Sequence, residues 1–234
     1  MAYEESVGSA QVLNPQPRVF LQPIAAPSIL GLYGFAGATF MVAAHMTHWF
    51  GTEHSVMLLV PFAAFFGGLA QFLAGMWAYK ARDGVATAMH GMWGAFWMAF
   101  GILQWLIASG RVATPAGPFF PELGFWFIVL AAITWVGSAA AAAENKALVT
   151  VLAFLAGGST IAAIGYLVGL EHLLVLAGYL LIISSLVAWY AASALMLFES
   201  YGREVWPVGK TAHARQMPMV TSGIGEPGVI RGQA

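Results

Sequence analysis

The chain has 234 residues, of which 60% are hydrophobic and only 8% are charged, with 9 Lys+Arg, 10 Asp+Glu and no cysteine. Soluble domains carry about 25% charged residues, so this chain has too few charges to cover a water-soluble surface and is predicted to lie in a membrane. The net charge of −1 and the absence of a basic run argue against nucleic acid as a partner, and the lack of cysteine excludes disulfides, iron–sulfur clusters and thiol nucleophiles.

The first 24 residues are polar, with Glu4, Glu5 and Pro15 among them. A cleavable signal peptide needs a basic start and an apolar middle, and neither is present. We therefore predict a retained N-terminal tail over residues 1–24, which the charge distribution described below assigns to the cytoplasm.

Six apolar stretches follow, each long enough for a helix that crosses about 30 Å of hydrocarbon. They are Pro27–Phe50, Ser55–Tyr79, Thr87–Ser109, Pro121–Ala143, Leu148–Val168 and Leu173–Phe198. The stretches lack the strict alternation and the length of about 10 residues that are typical of barrel strands. The predicted fold is thus all-α, a polytopic membrane domain of six transmembrane helices over residues 25–199, followed by a polar tail over residues 200–234.

Positive charges give the predicted orientation, because short cytoplasmic loops collect Lys and Arg. With six spans, Arg111 falls on one side and the other eight basic residues fall on the opposite side: Arg18, Lys80, Arg82, Lys146, Arg203, Lys210, Arg215 and Arg231. Both termini are therefore predicted to be cytoplasmic.

The interiors of the predicted spans contain no Asp, Glu, Lys or Arg. Such residues mark proton relays, voltage sensors and retinal sites inside membranes, so ion pumps, voltage sensors and retinal pigments are disfavoured. Nothing in the pattern indicates an enzyme.

Histidines leave one alternative open, a haem-binding electron-transfer subunit with His as axial ligand. His45 is predicted near the outer end of the first span and His90 near the inner end of the third, about 20 Å apart along the helix axis. We therefore expect no shared haem, no metal site and no other cofactor. A non-conducting structural or sensory membrane protein is a further alternative.

A weak repeated sequence pattern is shared by the first, third and fifth spans, which all run outward. In each of them a bulky residue is followed one helical turn later by a polar or amphipathic one. The pairs are Phe35 with Thr39, Trp93 with Trp97, and Leu155 with Ser159. Three such pairs around one axis are typical of a hydrophobic constriction, which gates by dewetting.

Several motifs in the same order resemble the acetate uptake transporter family, whose bacterial members include the succinate–acetate permeases. The resemblance runs from about Pro27 to Gly209. Its blocks are Ala26-Pro27-Ser28-Ile29-Leu30-Gly31-Leu32, Gly67-Gly68-Leu69-Ala70-Gln71, Gly94-Ala95-Phe96-Trp97 and Ala163-Ile164-Gly165, with Glu199, Gly202, Arg203, Val205, Pro207 and Gly209 at the end. His45 also falls on a histidine of the family. In the first block, the Asn and the second Pro of the family signature are replaced by Ala26 and Ile29.

The resemblance implies a six-helix protomer in a homohexamer of the bacterial plasma (inner) membrane, with a path for acetate and related short-chain carboxylates in each protomer. It places the constriction at Phe35, Trp93 and Leu155, where Trp93 stands for a Tyr of the family. The residues expected along the rest of the path are Thr39, His45, Gln71, Trp97 and Ser159, with the signature motif represented by Pro27, Leu30, Gly31 and Leu32. The expected partners are carboxylates, the lipid bilayer and further copies of the chain.

The predicted topology can be tested because the chain has no native cysteine. Cysteines introduced at Ser6 and Ser222 should resist a membrane-impermeant thiol reagent in intact cells, whereas a cysteine at Thr52 should react. Both tail cysteines should become reactive once the cells are permeabilised. Labelling of either tail from outside would contradict the orientation.

Overall fold

The computed structural model describes residues 24–52, 55–113, 115, 117–212 and 214. Its helices are α1 (Pro27–Met46), α2 (Ser55–Pro61), a π-helical segment (Phe62–Ala70), α3 (Gln71–Ala81), α4 (Gly84–Ala108), α5 (Pro121–Ala141), α6 (Lys146–Val168) and α7 (Glu171–Tyr201). Since α2, the π-helical segment and α3 run on as one helix, the described residues form six helices long and apolar enough to cross a membrane. The predicted all-α fold with six spans is confirmed.

Side-chain caps and left-handed residues determine where several helices begin and end. The Asp83 carboxylate accepts a hydrogen bond from the Ala86 amide at 2.8 Å, so α4 begins at Gly84. Gly169 and Gly202 end α6 and α7 with φ of 72° and 64°, a conformation that glycine adopts without a steric penalty.

The first helix ends at Met46, four residues before the predicted end at Phe50. The Thr47 hydroxyl donates back to the Ala43 carbonyl at 3.0 Å, and His48 takes a positive φ of 59°. Hydropathy cannot detect this ending, because the residues that follow Met46 are still partly apolar.

The π-helical segment follows Pro61, which lies inside the second span. Proline has no amide hydrogen and its ring clashes with the carbonyl four residues earlier, so it disturbs the regular α-helical ladder. The wider turn that follows is typical of π-bulges. It brings Gly67 against α1 and α4, where an added Cβ would lie 2.5 Å from the Ala38 Cβ and 2.9 Å from the Trp97 ring.

The helices pack as a ring around a central axis. In this ring α5 packs on α6, α6 on α7, α7 on α1, and α1 on the π-helical segment and α3, which in turn pack on α4. The ring is closed by a lighter contact between α4 and α5. We call the end where α1 begins and α7 ends the terminal face; there the Ala26 amide donates to the Glu199 carboxylate at 2.6 Å.

Glycines allow α3 and α4 to approach closely. A Cβ added to Gly75 would lie 2.6 Å from the Gly91 amide nitrogen, and one added to Gly94 would lie 2.6 Å from the Phe72 amide nitrogen. Such small-residue contacts let backbones approach closely in membranes, where no hydrophobic force draws helices together.

The segment after α7 folds back onto the turn between α5 and α6. The Lys146 amide donates to the Gly209 carbonyl at 3.0 Å, and the Trp206 ring stacks on the Tyr190 ring with centroids 5.3 Å apart. We call residues 202–211 the return segment. It follows the boundary predicted at residues 199 and 200, which falls inside the last turn of α7.

The predicted tails remain predictions. Residues 1–23 and 215–234 lie outside the part of the chain that the structure describes.

The contact between α3 and α4 yields a stability prediction with a built-in control. Gly75→Ala places a methyl group 2.6 Å from backbone atoms of α4, so the helices must separate, at a cost of about 1–3 kcal/mol. Gly91→Ala adds the same methyl group on the same pair of helices, where the nearest atom is the Met76 Cε at 4.0 Å. We expect a lower thermal unfolding midpoint in detergent for Gly75→Ala only. Equal midpoints for the two variants would contradict this packing.

Candidate functional site

Two cavities lie inside the ring of helices, one on each side of a buried apolar layer. The first has a volume of about 190 Å³ and includes Thr39, His45, Trp97 and Gln104 in its lining. We call it the His45 cavity; it lies toward the end of the bundle opposite the terminal face, because α1 contributes its later residues. No Asp, Glu, Lys or Arg lines this cavity among the described residues.

The second cavity has a volume of about 260 Å³ and lies toward the terminal face. We call it the His90 cavity. Its polar lining includes Ser28, Gln71, His90, Asp83 and Glu144. Although it is mostly apolar elsewhere, it differs from the His45 cavity because it contains carboxyl groups.

The layer between the cavities consists of the three residues predicted to form a constriction. Trp93 and Leu155 line both cavities, and Phe35 lines the His90 cavity. The Phe35 ring meets the Trp93 ring edge-on, with centroids 6.4 Å apart and planes at 69°. All three side chains are 2% exposed. The structure therefore brings Phe35, Trp93 and Leu155 together at one level, where three different helices supply them.

A hydrogen bond across the lighter α4–α5 contact fixes the Trp93 side chain. The Trp93 indole Nε1–H donates to the Thr134 hydroxyl at 2.9 Å, and that hydroxyl donates to the Leu130 carbonyl at 2.6 Å. Thr134 is fully buried. The single hydroxyl thus acts as both acceptor and donor, and it sets the orientation of the largest side chain in the layer.

Five buried polar atoms have no hydrogen-bond partner among the described residues. They are the Thr39 hydroxyl, the Gln71 Oε1, the His90 Nδ1, the Trp97 Nε1 and the Ser159 hydroxyl. Buried polar groups are normally paired, and an unpaired one costs about 1–3 kcal/mol. Four of the five belong to the residues predicted to line the path. Such atoms need water or a polar guest as partner.

These unpaired atoms lie on both sides of the apolar layer. Thr39 and Trp97 line the His45 cavity, whereas Gln71 and His90 line the His90 cavity. Ser159 lies one turn beyond Leu155 on α6 and is fully buried, but it lines neither cavity.

The signature motif at the start of α1 divides between the cavity and the outer surface. Pro27 and Leu32 line the His90 cavity, whereas Leu30 is 48% exposed and points away from it. Gly31 lies under the His90 ring, since a Cβ at this position would lie 2.6 Å from three ring atoms. Glycine is required there because any side chain would displace the imidazole.

The two histidines lie on opposite sides of the apolar layer. His45 lines the His45 cavity, with its ring 5.9 Å from the Phe50 ring. His90 lines the other cavity, and its Nε2 lies 3.3 Å from the Ser28 hydroxyl. Because Trp93 and Leu155 lie between the cavities, the two imidazoles do not face a common ligand.

At the terminal face, Asp83 and Glu144 bring two carboxyl groups to the mouth of the His90 cavity. Burial and, to a lesser degree, the neighbouring Asp83 raise the pKa of Glu144 to about 7. Its carboxyl is therefore neutral below about pH 7 and charged above it.

A comparison with protein-family models matches residues 10–205 to the GPR1/FUN34/yaaH family. The chain belongs to the GPR1/FUN34/yaaH family. The suspected membership in the acetate uptake transporters is thereby confirmed, and the family comprises transporters and channels for acetate and succinate, not enzymes.

Relatives of this GPR1/FUN34/yaaH protein include the succinate-acetate/proton symporter SatP of Escherichia coli K12. It is 27% identical over 189 residues, which cover 80% of this chain and 97% of the symporter. The ammonia transport outward protein 2 of Saccharomyces cerevisiae is 26% identical over 184 residues, 78% of this chain and 64% of the yeast protein. The solved structure of the bacterial acetate channel SatP superposes with a TM-score of 0.73 at 25% identity, covering 80% of this chain and all of that one.

Sequence reasoning gave no role in the site to Glu144 or Thr134 of this GPR1/FUN34/yaaH protein. Glu144 follows the predicted fourth span, which ends at Ala143, and lies outside the apolar stretches, yet it lines a cavity. Thr134 is one of several uncharged polar residues in the spans, and no spacing rule identifies it as the partner of Trp93. The roles of both residues depend on contacts between separate helices, and a pattern in the sequence does not reveal such contacts.

The Trp93–Thr134 hydrogen bond yields a prediction. Thr134→Val keeps the shape of the side chain but leaves the indole N–H of Trp93 unpaired in a buried site, at a cost of about 1–2 kcal/mol. Thr150→Val is the control, because the Thr150 hydroxyl donates to the Lys146 carbonyl four residues earlier and has no further partner among the described residues. We expect the thermal midpoint to fall markedly for Thr134→Val and little for Thr150→Val. A larger loss for the control would show that the indole contact contributes nothing.

Proposed function

We propose that the chain moves acetate and related short-chain monocarboxylic acids across the membrane through a path within each protomer. The path runs from the His45 cavity through the layer of Phe35, Trp93 and Leu155 to the His90 cavity. The substrate crosses this layer as the neutral acid or together with a proton. The layer acts as a hydrophobic gate, because water and ions avoid a narrow apolar passage.

The main observation behind the proposal is that buried polar atoms without a hydrogen-bond partner among the described residues lie next to this apolar layer. On one side, Thr39 and Trp97 offer an unpaired hydroxyl and indole N–H, both of which can donate to carboxyl oxygens. On the other side, the Gln71 Oε1 is an unpaired acceptor, which suits the O–H of a protonated carboxyl. A small carboxylic acid, with one donor and two acceptor oxygens, matches both sets.

The charges of the lining argue that the acid crosses in its neutral form. Neither cavity is lined by Lys or Arg in the described part of the chain. Transfer of an isolated carboxylate from water into a low-dielectric passage costs far more than transfer of its protonated form. A path without a compensating cation therefore favours the neutral acid.

The relatives support the substrate class. Among proteins similar along most of this chain are a succinate-acetate/proton symporter and an acetate channel. A proton symporter and a neutral-acid channel produce the same net movement of acid and proton. The present lining is compatible with either of them.

The finer features of this proposal concern assembly and location. We propose a homohexamer in the bacterial plasma membrane, with both termini in the cytoplasm and the six-helix domain flanked by two polar tails. The distribution of Lys and Arg supports the orientation, and the resemblance to acetate uptake transporters supports the assembly. The terminal face is then the cytoplasmic side.

A second candidate is outward movement of ammonia or ammonium, and one observation favours it. The charged side chains that line the His90 cavity in the described structure, Asp83 and Glu144, are both acidic, so they would attract a cation. A similar yeast protein is named ammonia transport outward protein 2. Comparing labelled acetate with labelled methylammonium in the same liposomes distinguishes the two candidates.

The proposed path predicts the behaviour of one variant. Trp93→Ala removes the largest side chain of the layer, so proteoliposomes should show a several-fold rise in the flux of a larger acid such as butyrate relative to acetate. Wild-type acetate flux should increase as the external pH falls from about 8 to about 5, because more neutral acid is present. Trp77→Ala is the control, since Trp77 is an exposed tryptophan of α3 that lines neither cavity.

Two results would count against the proposal. A wild-type acetate flux that does not depend on pH at fixed membrane voltage would exclude neutral-acid and proton-linked transport. An unchanged preference for acetate in Trp93→Ala would exclude the layer as the gate.

A further inference from the structure

The charges along the two cavities are concentrated at one mouth. Among the described residues, the His45 cavity has no charged side chain in its lining, and the His90 cavity has two, Asp83 and Glu144. Both also line a groove between α4 and α5 that borders this cavity on the outside of the bundle. Both carboxyl groups therefore lie where the His90 cavity approaches the terminal face.

The Asp83 carboxylate is held in place by the helix that it caps. Its Oδ1 accepts from the Ala86 amide at 2.8 Å, and its backbone carbonyl accepts from the Thr87 hydroxyl at 2.7 Å. The positive end of the α4 dipole stabilises a negative charge there. Asp83 therefore supplies a carboxylate whose position at the mouth is fixed by the helix cap.

Glu144 supplies a charge that varies with pH. Its side chain is half-buried and has no hydrogen-bond or ion-pair partner in the described parts of the chain. The return segment holds its backbone, since the Thr211 amide donates to the Glu144 carbonyl at 3.0 Å. Because its pKa lies near 7, the carboxyl gains its charge as the pH rises through neutrality.

Other charged or titratable groups surround Glu144 from each packed element. They are Arg82 and Asp83 before α4, His90 in α4, Lys146 at the start of α6, and Lys210, which lies opposite Asn145 in the return segment. No cation among them pairs with Glu144 within 4.0 Å in the described structure, and neither Arg82 nor the two lysines line the His90 cavity. In the described structure, the charged side chains that line the cavity itself are therefore both acidic.

The cavity behind this mouth is prepared for a polar guest. The His90 Nδ1 and the Gln71 Oε1 are buried, line the cavity and have no partner among the described residues. Both side chains are at least 95% buried. The acidic pair thus lies in front of unsatisfied hydrogen-bonding groups and not on a plain solvated surface.

We propose that Asp83 and Glu144 form a charge filter at the terminal-face mouth of the His90 cavity, which passes neutral carboxylic acids and slows carboxylate anions, dianions most of all. The inference rests on the proposed function and adds a determinant of specificity to it. Glu144 makes the strength of the filter depend on pH, because its carboxyl is charged in alkaline solution and neutral in acid solution. Asp83 adds a second carboxyl group to the filter.

The physical basis is the repulsion between like charges across a partly desolvated mouth. A single charge pair several Å apart interacts by enough to change a rate on the order of tenfold at the effective dielectric of a protein surface. A dianion feels about twice the repulsion that a monoanion feels, so removal of one filter charge increases succinate flux more than acetate flux. The neutral acid is unaffected, so the expected rise concerns acid that enters the mouth as an anion and crosses the apolar layer together with a proton.

The test uses the full chain in sealed membrane vesicles of defined orientation, with acid added on the side of the terminal face. Glu144→Gln removes the titrating charge and keeps the shape. At about pH 8 we expect succinate flux to rise on the order of tenfold over the wild type and acetate flux to rise less. At about pH 6, where the wild-type carboxyl is already neutral, the variant and the wild type should converge.

Two further variants serve as controls. Glu204→Gln makes the same charge change in the return segment, at an exposed residue that lines neither cavity, and should leave both fluxes unchanged. Glu144→Asp keeps a carboxyl group at the mouth and should keep most of the discrimination. It also shows whether this position tolerates substitution.

The outcomes separate the filter from the proposed function. Normal acetate flux with identical succinate flux in wild type and Glu144→Gln at about pH 8 overturns the filter alone. An equal rise for both acids also overturns it, because it indicates a wider mouth. Absence of wild-type acetate flux, with or without methylammonium flux, overturns the proposed function and the filter with it.

Discussion

The hydrogen bond between the Trp93 indole and the Thr134 hydroxyl is the interaction on which the architecture of the path depends. It crosses the lightest contact in the ring, between α4 and α5. Without it, the largest side chain of the apolar layer would keep its position by packing alone. With it, a rigidly held indole separates the two cavities. The apolar layer then resists rearrangement, although the α4–α5 contact beside it is light. Rigidity of this kind is what a size-selective passage requires.

The membrane setting explains why polar groups in this path are few and unpaired. A buried donor without a partner is costly, so helices in lipid normally satisfy their hydroxyls against a backbone carbonyl, as Thr160 and Ser184 do. Thr39 and Ser159 do not. In the proposed path, a guest that supplies the missing hydrogen bonds would recover this cost, so weak contacts would contribute to its recognition. In the part of the chain that the structure describes, the charged residues that line the two cavities lie toward the terminal face.

Hydropathy was sufficient to predict the fold, because each helix that crosses the lipid bilayer must have a minimum length and an apolar composition. The ends of the helices needed local chemistry instead: the Thr47 hydroxyl ends α1 early, and the Asn145 side chain begins α6 two residues before the apolar run at Leu148. In the site, the helical spacing of Phe35 and Trp93 indicated residues that meet, because one-turn periodicity survives in the packed bundle. Glu144 could not be placed in this way, since only the contact between a loop and another helix brings it to a cavity.

The return segment connects the chain beyond α7 to the lining of the His90 cavity. Val208 lines the His90 cavity, and the Ala147 amide donates to the Val208 carbonyl at 3.1 Å. The mouth is therefore shaped in part by residues that lie beyond the last membrane helix and are free of the length constraint of lipid. Insertions or deletions in this stretch can remodel the opening of this cavity while all six spans stay unchanged. This gives evolution a way to alter selectivity without disturbing membrane insertion.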